Sequence, residues 1–172
     1  DTVFFIHGGR GGECGGTDVF SHYFQYSGWF DGRPYKTNDA SARGGDIRID
    51  DYVMQPAMSC LPGRMVDVGV FAHEFGHALG LPDLYDTGSD GTTSGGAGEW
   101  ELMSSGGYGG DRRSPERPSH LSAWSKMYVG LVEPITLPRC LSSVTLPPIE
   151  KQPVAYKIPI MKVIEAIRDG NN

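Results

Sequence analysis

The sequence predicts an α+β fold in which a small twisted sheet and a backing helix frame one long central helix, followed by a β-rich tail. Three observations lead there. Thr2–Ile6 is a short, aromatic-rich apolar run, and Asp46–Asp50 alternates polar and apolar with a period of two. Met65–Leu79 instead repeats apolar residues at helical spacing. Glycine (25) and proline (12) together make about a fifth of the 172 residues, which favours long loops and few regular elements.

Thr2–Ile6 reads as a buried strand. It runs into His7–Gly16, a glycine-rich stretch without the terminal GK[ST] of a phosphate loop. Its glycines also miss GxGxxG spacing, Cys14 standing where the third should fall, so a flexible turn is predicted. Thr17 or Asp18 can then cap a helix reaching about Tyr26. Val19, Phe20, Tyr23 and Phe24 form its apolar stripe and Gly28 stops it. His22 lies off that stripe, which predicts a surface or packing role. Residues 28–45 are polar and read as a long surface loop. Asp46–Asp50 is a half-exposed strand, and Tyr52–Gln55 continues extended as far as Pro56.

The central helix carries the chemistry. His73-Glu74-Phe75-Gly76-His77-Ala78-Leu79-Gly80-Leu81-Pro82-Asp83 reads HExxHxxGxxD. Histidines four apart project from one side of a helix, so one Zn²⁺ can reach both imidazoles at about 2.0–2.1 Å. Glu74 is turned about 100° from His73, beside a metal rather than on it, where a general base belongs. Gly80 can end the helix in a left-handed turn. The returning chain then offers Asp83 as a third ligand, which leaves one position for water, as in catalytic zinc. Val68, Phe71, Ala72, Phe75, Ala78 and Leu79 fall in an arc of roughly 120° opposite the histidines and predict a core face. Gly69, Gly76 and Gly80 make a stripe bare of side chains, where another backbone can approach. The competing reading is two ordinary core histidines; the later glycine and acid at matching positions weigh against it.

Leu84–Gly98 is a loop rich in oxygen donors. Asp86 and Asp90 are candidate Ca²⁺ ligands, although their spacing fits no EF-hand. After Glu99–Tyr108, Pro118 opens a second helix that ends near Val129 with Gly130 as its stop. Leu121, Trp124, Ser125 and Tyr128 give it a packing face. From Val132 there are six prolines by Pro159, with strand-like runs such as Val154–Ile158. The expected division is a catalytic unit over 1–133 and a β-rich segment over 134–172 that opens a further domain.

The chain is acidic, with 15 basic against 21 acidic residues and a net charge of −6. That argues against a nucleic-acid partner. There is no run of about 18 apolar residues to span a membrane. The start at Asp1, without Met or signal peptide, predicts a processed or excised piece of a longer precursor. Three cysteines, Cys14, Cys60 and Cys140, permit at most one internal disulfide and show no CxxC spacing. Buried thiols and a bridge remain equally open, as does the redox compartment.

Phe71–Thr87, together with Trp100–Gly106 and the Ser-Ala-Trp-Ser-Lys run at Ser122–Lys126, resembles the immune inhibitor A family of secreted bacterial metallopeptidases. Phe5–Gly9, Gly12-Glu13 and Phe20-Ser21-His22 resemble that family's N-terminal pattern. The resemblance covers roughly residues 3–135. It implies a zincin, metzincin-like catalytic domain with His73, His77 and Asp83 as zinc ligands and Glu74 as acid/base. Met103 would lie in a turn under the metal, where a flexible apolar side chain fills irregular space. The family also implies secretion, a propeptide and further β domains, and substrates that are proteins or peptides.

On this reading Glu74 takes a proton from water and returns it to the departing amine. Tyr108 is the candidate donor to the oxyanion, with Tyr85 and His120 as rivals. The strand before Pro56 is a candidate edge for pairing with a substrate backbone, against a plain edge strand without function. Two alternatives stand beside it. One is a gluzincin-type peptidase with Glu99 or Glu101 as third ligand; the other is a silent zinc-binding or adhesion module. Oligomeric state and cleavage preference are not legible in the sequence.

Overall fold

Among the described residues, seven short strands and two α-helices form the scaffold. The computed structural model describes residues 2–88, 94–109, 115–138, 143–149 and 151–158. The strands are β1 (Val3–Arg10), β2 (His22–Gln25), β3 (Tyr35–Ala40), β4 (Asp46–Ile49), β5 (Asp51–Met58), β6 (Pro134–Thr136) and β7 (Ala155–Lys157). The α-helices among the described residues are α1 (Val68–Ala78) and α2 (Ala123–Tyr128). The chain divides into two compact units, Asp1–His120 and Leu121–Asn172. The second contains α2 and the parallel pair β6–β7.

In the first unit β5 is central. It pairs parallel with β1, from Val3↔Tyr52 to His7↔Pro56, and antiparallel with β2, from His22↔Met54 to Gln25↔Asp51. β2 reaches no further than Met54, so beyond it β5 has a partner on one side only and Pro56 is tolerated in the strand. α1 packs on β5 and β2. Val53, Leu81 and Met103 are buried, with Gln55 and Glu101 fully enclosed as well.

Several expectations need correction. The helix predicted over 17–26 is absent; His22–Gln25 is strand β2, followed by a 3₁₀ turn at Tyr26–Gly28. Tyr23 and Phe24 are aromatic residues that suit a pleated surface, and pairing with β5 satisfies their backbone groups. The Tyr23 hydroxyl also donates to Asp51 Oδ1 at 2.6 Å, a bond that only the strand register provides. The loop predicted over 28–45 contains β3, which pairs with β4 to make a two-stranded sheet. The strand at Asp46–Ile49 is as expected. The strand before Pro56 is no sheet edge; it lies between β1 and β2.

β1 was expected to be buried, but Phe5 and Ile6 are exposed because β1 is an outer strand of its sheet. The apolar arc of α1 is likewise only half covered. Phe71 and Phe75 lie against Phe4, at 6.2 and 5.9 Å between ring centroids, while Val68 and Leu79 remain exposed. The buried residues of α1 are Gly69 and Gly76, members of the glycine stripe. α1 starts at Val68 rather than Met65, because Met65 bridges to Met58 and Val66 donates to Ala57 O. α2 starts at Ala123 rather than Pro118, where Ser122 caps it by accepting the Ser125 N–H.

Candidate metal and active site

The site is assembled at the end of α1. Gly80 has φ of 93°, in the left-handed region. Leu81 N–H donates to Gly76 O and Gly80 N–H to His77 O, the paired bonds of a Schellman turn. Leu81 is then buried at 2% exposure, which anchors the reversal and sends Asp83 back toward the two histidines.

Each imidazole is oriented by a backbone carbonyl. His73 Nδ1 bonds Leu102 O at 2.8 Å, and His77 Nδ1 bonds Leu81 O at 2.8 Å. A carbonyl oxygen can only accept, so each Nδ1 carries a proton and each Nε2 is turned toward Asp83. Asp83 Oδ1 lies 3.2 Å from His73 Nε2 and 3.3 Å from His77 Nε2, and is buried without a hydrogen-bond donor. Two imidazole nitrogens and one carboxylate oxygen thus converge on one point. A donor set of that kind suits a bound cation. The spacing matches as well: bonds of about 2.0–2.1 Å in a tetrahedron put ligand atoms roughly 3.3 Å apart. Among the described residues this trio is the group of His, Cys, Asp and Glu that converges in this way. The residues therefore fit a zinc ion.

Gly76 lets the segment carrying Leu102 pass under the helix. A Cβ there would meet Met103 Sδ, and Met103 is fully buried. Gly69 does the same about two turns earlier, where a Cβ would meet the Gly107 and Pro115 carbonyls. Glu101 Oε1 accepts the Met103 N–H at 3.2 Å and stiffens this turn.

Glu74 sits beside the trio. Burial raises its pKa above the usual carboxylate value; His73 and His77 lower it, Asp83 raises it, and the Tyr23 backbone lowers it. Tyr85 lies over His73 with 6.5 Å between ring centroids. Its hydroxyl is pushed up to about 12 by burial, then by the charge of Asp83 and a hydrogen bond to it, then by Glu74. Tyr23 flanks His77 at 6.2 Å, and its hydroxyl is also pushed up to about 12, first by burial and then by Asp51. Tyr108 is raised by burial, then by Glu13 and Glu74. A cavity of about 510 Å³ opens over His73 and Glu74 and is walled in part by Tyr85, Tyr108, Phe20 and Glu13.

Measured against the sequence reading, the structure brings together His73, His77, Asp83 and Glu74, with Tyr85 and Tyr108 on the same cavity. It does not bring His120, whose backbone carbonyl accepts from Leu102 instead. Glu99 and Glu101 are not among the converging groups. Asp86 Oδ1 accepts the Gly88 N–H at 2.9 Å, and its expected calcium partner Asp90 lies outside the described residues. His22 packs edge-on to Tyr52, as expected of a packing residue. Cys14 is bridged to Cys60, which resolves a pairing the sequence left open; Cys140 lies outside the described residues. Sequence reasoning missed the orienting carbonyls of Leu81 and Leu102 and the presence of Glu13 in the cavity wall. Backbone partners leave no side-chain signal, and Glu13 is placed by contacts with Ser21 eight residues away.

Residues 1–132 match the catalytic domain of the immune inhibitor A M6 peptidases. The chain belongs to this family. A pre-pro-metalloprotease PrtV of Vibrio cholerae serotype O1 is 33% identical over 138 residues, 75% of this chain and 14% of that protein. Immune inhibitor A of Bacillus thuringiensis subsp. alesti is 35% identical over 119 residues, 64% of this chain and 16% of that protein. The chain thus spans about a seventh of the length of these M6 relatives. The M6 match ends at residue 132, ahead of β6. M6 membership agrees with the mixed α+β scaffold and with the His73–His77–Asp83 cluster.

Proposed function

We propose that this chain is the catalytic domain of a zinc-dependent endopeptidase that acts on proteins and peptides, with the catalytic unit spanning 1–133. His73, His77 and Asp83 hold the metal. When bound, Zn²⁺ polarises the scissile carbonyl and brings the pKa of water toward ~7. The chain's own groups do the rest. Glu74 accepts the proton of the attacking water on its carboxylate and delivers it to the departing amine. Tyr108 donates its phenolic proton toward the developing oxyanion from the cavity wall it shares with Glu74, while the Tyr85 hydroxyl lies in the field of Asp83. Tyr85 thereby acts as a positioning residue for the carboxylate ligand.

β2 has β5 on one side only, and its Tyr23 backbone lies beside Glu74. Its other edge can take a substrate backbone as an added strand, which lays the peptide across the metal. We place the protein outside the cell. The Cys14–Cys60 bridge supports this, since such bonds persist in oxidising compartments.

The observation that carries the reading is Asp83 Oδ1, buried without a hydrogen-bond partner and close to the Nε2 atoms of two imidazoles. The test is metal content together with azocasein hydrolysis, with and without a chelator. Stoichiometric zinc and chelator-sensitive cleavage are expected, and zinc without turnover would contradict the catalytic assignment.

A further inference from the structure

Glu13 is a carboxylate that the peptidase chemistry does not use, yet it is built into the cavity wall. Its Oε1 accepts the Ser21 hydroxyl at 2.6 Å, and its Oε2 accepts the Ser21 backbone N–H at 3.2 Å. The carboxylate lies over Gly11, where any Cβ would strike it. The next residue, Cys14, is fixed to Cys60. Glu13 is exposed, and the two bonds from Ser21 favour one of the several rotamers a surface glutamate ordinarily keeps.

Each oxygen of Glu13 receives one hydrogen bond from Ser21 and retains acceptor capacity. Among the described residues no lysine or arginine is recorded as its ion-pair partner. Arg64, which lines the adjoining hollow with it, is turned to Asp67 at 3.7 Å. Between Glu13 and the His73–Glu74 pair the cavity wall includes the rings of Phe20, Tyr85 and Tyr108 and the side chain of Val70, beside the polar Ser104 and Ser105. An apolar stem with a cationic head fits such a space, since the stem packs on the rings while the head pairs with the acid.

We propose that Glu13 is a specificity-determining residue of this cavity and selects an arginine side chain next to the scissile bond. Arginine is favoured over lysine because its planar fork can bond both oxygens of a fixed carboxylate. This rests on the peptidase reading above and deepens it.

The test measures binding rather than turnover. The full chain is prepared as Glu74→Ala, with and without Glu13→Gln. Peptides of one sequence carry arginine, its neutral isostere citrulline, or leucine on one or the other side of the scissile bond. On one side, arginine is expected to bind about tenfold tighter than citrulline. Glu13→Gln should close that gap while leaving citrulline and leucine within about twofold. The gap with Glu13 intact should also narrow between about 0.05 and 0.5 M salt, a measurement that needs no change in the loop. Equal affinity for arginine and citrulline, a gap indifferent to salt, an equal loss for all three peptides, or no binding by any peptide would each overturn the proposal. Failure of the peptidase reading shows separately, as wild-type chain that cuts no peptide while the arginine preference persists.

Discussion

Gly69→Ala sets helix propensity against packing, and the two predict opposite signs. Alanine is favoured over glycine by about 1 kcal/mol in a helix interior and by less at Gly69, the second residue of α1, so α1 taken alone should be slightly stabilised. The structure says otherwise. The new methyl would meet the Gly107 carbonyl oxygen, with Pro115 O at 2.6 Å and Pro115 Cα at 3.0 Å. These are backbone atoms and cannot rotate away. The Gly69 N–H also donates to that same Pro115 O, so withdrawal of the 115 segment loses a bond worth about 1 kcal/mol. Overpacking typically costs about 1–3 kcal/mol. The net expectation is a loss of about 1–3 kcal/mol, or roughly 3–10 °C in Tm for a chain of this size. Gly76→Ala is the internal control. There the obstacle is the far end of Met103, with Cε at 3.0 Å, a flexible side chain that can yield in part. Gly76→Ala should therefore cost less, and Met103→Leu should rescue it beyond additivity in a double-mutant cycle. Thermal melts of the four variants beside wild type decide the matter. A higher Tm for Gly69→Ala would show that propensity governs and that the close approach of α1 to the Gly107 turn is wrong.

Other consequences can be checked together. Glu74→Ala should retain stoichiometric zinc and lose casein cleavage by at least about a hundredfold, read by metal analysis beside an activity assay. Tyr85→Phe removes the hydroxyl beside Asp83 and should weaken zinc affinity by about 10–100-fold, read by competition with a chromophoric chelator; unchanged affinity would remove Tyr85 from its positioning role. Replacing Cys14 and Cys60 together with serine frees a loop closed over 46 residues and should cost about 2–4 kcal/mol in denaturant unfolding.

What could be read in the sequence was what neighbouring residues encode. His73, Glu74 and His77 share one helix, and Gly80 and Asp83 follow within six residues, so spacing alone specified the cluster that the fold assembles. β4 and β7 were legible for the same reason. β2 was not. Val19, Phe20, Tyr23 and Phe24 satisfy a helical stripe, but Tyr23 and Phe24 gain more from pairing with Val53 and Tyr52 nearly thirty residues later. β3 was lost because its partner β4 supplies the pairing that its own polar residues do not announce. The apolar arc of α1 pointed to a buried face, whereas the faces that pack tightly are those of Gly69 and Gly76, whose lack of side chain gives no hydrophobic signal. Glu13 was invisible as a cavity residue because its position depends on Gly11, Ser21 and Cys60, which only the fold brings together.

Zinc K-edge X-ray absorption of the metal-loaded chain, recorded for wild type and for Asp83→Ala, bears most directly on the site. Two imidazole nitrogens and one carboxylate oxygen at about 2.0–2.1 Å are expected in the wild type, with the loss of one oxygen scatterer and weakened binding in the variant. A wild-type spectrum that Asp83→Ala leaves unchanged, or one containing sulfur or a third imidazole, would contradict the coordination set on which the account stands.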